Sequence, residues 1–151
     1  MKNLNRISTI IFCRLLENMG NGDSLTIENS PHLTLILERV QSDVYLSQVS
    51  EGIRATTYSL RQAYTDLDGK EVVETEMYFA VSGFGQQRQG KRTDILVVPF
   101  CYQSARKKET SMWLAQHRRP TIAPPKQAEH AKIAEEWFEE IFADGFLDAL
   151  I

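Results

Sequence analysis

The dipeptide Asp68-Gly69, set between two runs that alternate apolar and polar residues, restricts the fold more than any other feature of the chain. A two-residue type I′ turn needs positive φ at both central positions, and Asp-Gly is among the few pairs that supply it. With the turn centred there, Tyr64 faces Val73, Leu60 faces Met77 and Tyr58 faces Phe79 on one side of the hairpin. The other side pairs Arg61 with Glu76 and Ser59 with Tyr78. Aromatic–apolar and opposite-charge pairs each add roughly 0.2–1 kcal/mol to an antiparallel ladder, and a slip of one residue would mix the two faces. Turn chemistry, register and pattern agree, so the chain has to build an antiparallel sheet around this hairpin.

Period-two alternation extends on either side. Leu25 and Ile27 read as a strand, broken by Asn29-Ser30-Pro31. Leu33, Leu35 and Leu37 then form a hairpin with Val44-Tyr45-Leu46 across the polar connection Gln41-Ser42-Asp43. Residues 83–93 are polar and Gly-rich, a loop. Residues 95–102 form a further strand, and Pro99, which has no N–H, places it at a sheet edge or on a bulge. Residues 110–116 read as a short helix with Trp113 and Leu114 inward, and 120–125 as an extended connector. Helical spacing marks 4–19, through Leu4, Ile7, Ile11 and Leu15 flanked by Ile10, Phe12 and Leu16, a wide apolar surface that reads as a well-buried helix, and 127–143, through Ala131, Ala134, Trp137, Phe138, Ile141 and Phe142. Gly145 suits a left-handed cap with Phe146 folding back. The expectation is one α+β domain over 1–151, an antiparallel meander of five to six strands with both helices on one face.

Charge is segregated along the chain. Residues 86–126 carry a net +7, between a net −4 over 1–85 and a net −6 over 127–151. The cations are Arg88, Lys91, Arg92, Arg106, Lys107, Lys108, Arg118, Arg119 and Lys126. Gathered in space they would form a partner-binding surface, and the acidic final helix, with Glu135, Glu136, Glu139 and Glu140, is the alternative place for them to be neutralised. Cys13 and Cys101 each sit in an apolar run and read as buried thiols. The apolar stretch after Lys2 and Arg6 ends at Arg14, so no export signal and no membrane span are read, and a cytoplasmic location is expected.

The chemical motifs fail on their context. Gly85-Gln86-Gln87-Arg88-Gln89-Gly90-Lys91 has the spacing of a phosphate-binding loop, but Arg92 stands where a Ser or Thr is needed and a strand follows in place of a helix. Asp66-Leu67-Asp68-Gly69-Lys70-Glu71 resembles the start of a calcium loop, with the glycine misplaced and the bidentate Glu missing. His32, His117 and His130 are scattered, with no ligand spacing. Glu74 and Glu76 share a strand face that Arg61 accounts for. A Ser-His-acid triad is made by geometry, so sequence leaves it open. No catalytic, cofactor or metal residue is assigned.

The segments Ser24-Leu25-Thr26-Ile27-Glu28-Asn29, 33–40, Asp68-Gly69 through Glu76-Met77-Tyr78-Phe79, and Trp137 through Gly145-Phe146 resemble uncharacterised small bacterial proteins carried on plasmids and integrative elements. The resemblance covers most of the chain in order and transfers no catalytic residue. It implies an accessory protein of a mobile element that interferes with a host system. The leading expectation is therefore a non-enzymatic accessory or inhibitor protein that binds a protein partner through the 95–102 edge strand and the basic residues beside it. Nucleic-acid binding by the same cations is the alternative, and an enzyme with a site formed only in three dimensions is the third. The edge strand also offers a route to a homodimer, one that Pro99 restricts.

Overall fold

The structure is a computed structural model that describes residues 1–46, 53–84 and 95–150, together with the backbone of 87–88 and 91–92. Helix α1, Arg6–Met19, opens on Asn5, whose side chain accepts a 2.8 Å hydrogen bond from the Ser8 N–H. Strands β1 (Ser24–Ile27), β2 (Thr34–Tyr45), β3 (Arg54–Thr65), β4 (Glu71–Ser82), β7 (Leu96–Ser104) and β8 (Lys108–Thr110) form one antiparallel sheet in that order. Two short pairs are the other strands among the described residues: β5 (Gln87–Arg88) with β6 (Lys91–Arg92), and β9 (Met112–Trp113) with β10 (Thr121–Ile122). Helix α2, Pro124–Ala143, follows. The expected α+β meander with terminal helices is the observed fold.

One face of the sheet carries Leu35, Leu37, Leu60, Met77 and Phe79, and both helices pack on it through Phe12, Leu15, Trp137 and Phe138. Trp137 reaches across this layer, its Nε1 donating to Gln62 Oε1 at 2.7 Å. The second face has its own, smaller core of Val44, Ala55, Ala80 and Val98, with Met112, Leu114 and Ile122 against it. Residues 111–123 thus cross the back of the sheet as an arm. The Ala115 carbonyl accepts from Tyr45 N–H at 3.0 Å, and Gln116 Nε2 donates to the Ser42 carbonyl at 3.2 Å. The short helix expected over 110–116 is replaced by β8, β9 and this extended crossing. Trp113, expected inward, is 47% exposed, because a strand in this arm turns only alternate side chains, Met112 and Leu114, to the sheet.

Two further readings are corrected by bulges. The Gln41-Ser42-Asp43 connection is no hairpin turn: β2 runs through it with two register shifts, and Asp43 takes φ +60°. The β3–β4 turn is longer than two residues. Asp66 Oδ1 accepts the N–H groups of Asp68 and Lys70 at 2.9 Å each, so the turn closes between Asp66 and Lys70, and Tyr64 lies opposite Val72. A bulge at Glu74 adds one residue to β4 and restores Arg61 to Glu76, Leu60 to Met77 and Tyr58 to Phe79 as expected. The same turn uses up the Asp66 carboxylate that the calcium-loop reading would need.

The end of α2 is capped as its sequence suggests. Gly145 has φ +82°, its N–H donates to Phe142, and the Phe146 N–H donates to Ile141 while its ring is fully buried. A Cβ at Gly145 would meet nothing within 4 Å, so only backbone strain opposes a side chain there. Gly145→Ala is expected to lower stability by ~1 kcal/mol, read as a shift in the urea midpoint.

Candidate functional site

Among the described basic residues, Arg106, Lys107 and Lys108 lie apart from Arg118 and Arg119. Arg106, Lys107 and Lys108 lie at the β7–β8 turn, beside the sheet end that holds Thr65 and Glu71. Arg118 and Arg119 lie at the tip of the arm, next to Tyr45 and Arg54 at the opposite end. Eight residue rows of β4 separate the two ends, about 25 Å at ~3.3 Å per residue. The β5–β6 pair, which contains Arg88, Lys91 and Arg92, is a separate two-stranded sheet lying in sequence between β4 and β7, whose paired ends Ser82 and Leu96 are on the arm-tip side. The side chains of Arg88, Lys91 and Arg92, and the whole of Gly85 and Gly90, lie outside the described residues.

At the β8 end the cations are partly neutralised, though by Glu109 and not by the late acidic residues of α2. Lys107 Nζ is 2.8 Å from Glu109 Oε1, Lys126 binds the other carboxylate oxygen, and Lys126 also lies 3.6 Å from Glu129. These lysines hold the Glu109 carboxyl at about 2, well below the ordinary carboxylate range. No cation of the 86–126 stretch is paired with Glu135, Glu136, Glu139 or Glu140 among the described residues.

The 95–102 edge is closed by the chain itself. Leu4 N–H donates to the Val97 carbonyl, Gln127 Nε2 to Pro99 at 3.1 Å, and Ser111 N–H to Phe100 at 2.8 Å. Pro99 sits beside a bulge, as its missing N–H requires. Strand addition at this edge, expected as a route to a partner or a homodimer, would first have to displace these bonds.

Ser111, His130 and Glu109 form a row that sequence spacing could not reveal. Ser111 Oγ is 2.8 Å from His130 Nδ1, and Glu109 Oε1 is 4.0 Å from His130 Nε2. The nearby carboxylate favours the proton on Nε2, and the single Ser111 hydroxyl proton is shared between two acceptors in reach, His130 Nδ1 at 2.8 Å and the Phe100 carbonyl at 3.3 Å. Ser111 and His130 are both 0% exposed, so no substrate reaches the hydroxyl. Burial lowers the His130 pKa against the pull of Glu109 and Glu129. The row latches the arm to α2, together with the Ala123 N–H donating to the Ser111 carbonyl.

The uncovered half of the second sheet face carries a charged cluster. Arg61 bridges Glu38, at 2.7 Å, and Glu71. Glu76 beside it is pushed up by burial, in spite of Arg61 and of the Tyr78 hydroxyl donating to it at 3.4 Å. Burial likewise raises the thiols of Cys101, which accepts from Thr110 Oγ1, and of the half-buried Cys13; both cysteines are free. Glu74, read as sharing a face with Glu76, is the extra residue of the β4 bulge.

Arg54 stacks 3.5 Å over the Tyr45 ring and donates to the Asp43 and Gln116 carbonyls at 3.0 and 2.9 Å. It borders a cavity of about 240 Å³ floored by Tyr58, Val81 and Phe84. Arg118 and Arg119 are exposed and have no ion-pair partner among the described residues. No described helix is long and apolar enough to cross a membrane. Comparison with known protein families, curated proteins and solved structures yields no match.

Proposed function

We propose that the chain is a non-enzymatic accessory or inhibitor protein that binds an acidic surface of a protein partner through the arm-tip end of its sheet. The observation that carries this reading is the pair Arg118 and Arg119, exposed and without an ion-pair partner among the described residues, on the sheet end from which the chain runs on to Arg88, Lys91 and Arg92. Arg54, which stacks on Tyr45 and donates to the Asp43 and Gln116 carbonyls, ties the arm tip to β2 and β3. Exposed guanidinium groups suit carboxylate recognition, since the planar fork is already organised. The resemblance to proteins of plasmids and integrative elements favours a host protein as that partner.

A double reversal, Arg118→Glu with Arg119→Glu, is expected to abolish stoichiometric capture of a partner from host extract. Reversal of Arg106 and Lys108 at the far end should leave capture intact. Equal loss from both pairs, or from neither, would refute the assignment to the arm tip. The half-exposed Trp113 ring in the same arm favours nucleic acid as the second reading, because a ring of this kind can stack on a base. Single-stranded oligonucleotide affinity that falls roughly tenfold or more between low and moderate salt, and vanishes in Trp113→Ala, would support that reading over the first.

A further inference from the structure

We infer that the groove between α1 and α2, on the side of the helix layer away from the sheet, is the interface of a homodimer and that a second copy of this chain occupies it. The groove encloses about 490 Å³ and is lined by Ile7, Ile10 and Phe142 with Leu147. Ile7 is 69% exposed, Ile10 53% and Phe142 63%. Single exposed apolar residues are ordinary, but three large ones around one concavity mark an interaction surface.

The charges on its walls point to the occupant. Arg14 stands on the α1 side, Glu139 and Asp148 on the α2 side, and none of the three has an ion-pair partner among the described residues. Helix α1 also exposes Arg6, and α2 exposes Glu136 and Glu140. A uniformly basic foreign helix would meet Arg14, and a uniformly acidic one would meet Glu139 and Asp148. A twofold interface asks instead that one surface carry both halves of each contact. This groove does: a cation and an anion on opposite walls, and a projecting Phe142 beside a hollow. A dyad running along the groove lays each α1 on the other copy's α2, and so brings Arg14 to the second copy's acidic wall twice.

The size of the surface sets the strength. Helix α1 is about 21 Å long at 1.5 Å per residue, and two packed helices, each about 10 Å across, span about 20 Å, a face of roughly 400 Å². Standard stable interfaces bury about 800 Å² per partner, so the dimer is expected to dissociate on dilution through the micromolar range.

Sedimentation of the full chain from about 1 to 200 μM should show a monomer–dimer equilibrium. Arg14→Glu and Glu139→Arg should each weaken it about tenfold, and their combination should recover most of the affinity, because the pair is rebuilt across the dyad. Phe142→Ala should weaken it by at least tenfold, and circular dichroism should show the fold of all four variants unchanged. A monomer at every concentration overturns the proposal. So does a dimer that none of the substitutions weakens, or one that Arg14→Glu and Glu139→Arg weaken without mutual rescue.

Discussion

Phe12→Ala is expected to lower the unfolding free energy by ~3–5 kcal/mol, the cost of emptying a large aromatic site in a packed core. Phe12 is 0% exposed, and its ring lies 6.1 Å from Tyr58, 5.0 Å from Phe79 and 5.9 Å from Phe138. It therefore sits where α1, β3, β4 and α2 meet, and each of those elements is held by it to the others. Edge-to-face and tilted contacts of this kind contribute beyond the area they bury. A domain of this size is stable by only about 5–15 kcal/mol, so the substitution removes a large share of it. Phe142→Ala deletes the same atoms from a side chain that is 63% exposed, and should cost under ~1 kcal/mol when measured at concentrations below the dimer range. Urea denaturation of both variants, followed by circular dichroism, checks the contrast. A Phe12→Ala loss as small as that of Phe142→Ala would contradict the packing of the helices on the sheet.

The contrast also shows what the sequence made legible. Helical spacing marked both Phe12 and Phe142 as apolar, but only the packing of α1 against α2 shows that one is enclosed and the other left outside. The register of β3 with β4 was readable because inward and outward residues alternate over a long run. Its turn departs from the two-residue expectation because Asp66 draws in two N–H groups and shifts closure, and the bulge at Glu74 brings the expected register back further along the hairpin. The arm was the larger surprise. Residues 110–116 combine β-branched, small and aromatic side chains that fit either a short helix or an extended crossing, and only the second sheet face decides between them. The small residues Ala55, Thr57, Ser59 and Ala80 on that face were the available signal, since they leave room for a chain to pass close by. The basic residues were visible as a composition shift. Their division between two ends of the sheet was not, because sequence order says nothing about which way an arm travels.

The latch that ties this arm to α2 should make the protein acid-sensitive in a defined window. His130 is fully buried and its pKa is lowered, chiefly by burial. A base whose folded pKa lies below its unfolded value binds its proton more readily when unfolded, so stability is complete above the unfolded pKa of about 6.5 and falls as the pH drops below it. Glu109 behaves differently. Its carboxyl is held at about 2, so it stays ionised through that window, and its contribution is lost only as the pH falls below about 4.5 toward 2. Glu76, raised by burial, acts in the opposite sense and gains stability on protonation, which would mask part of the effect in the wild type alone. Comparison with His130→Gln isolates the histidine. Between pH 7.5 and 5 the wild type should lose stability relative to the variant with a limiting slope of ~1.4 kcal/mol per pH unit, the value for one proton. The loss should appear first in the arm, whose Ser111 Oγ lies 2.8 Å from Nδ1 of the imidazole that acid would protonate. Faster amide exchange of Tyr45, whose N–H is held by the Ala115 carbonyl, would report it. Equal pH slopes for wild type and His130→Gln would show that the imidazole is not what closes the latch.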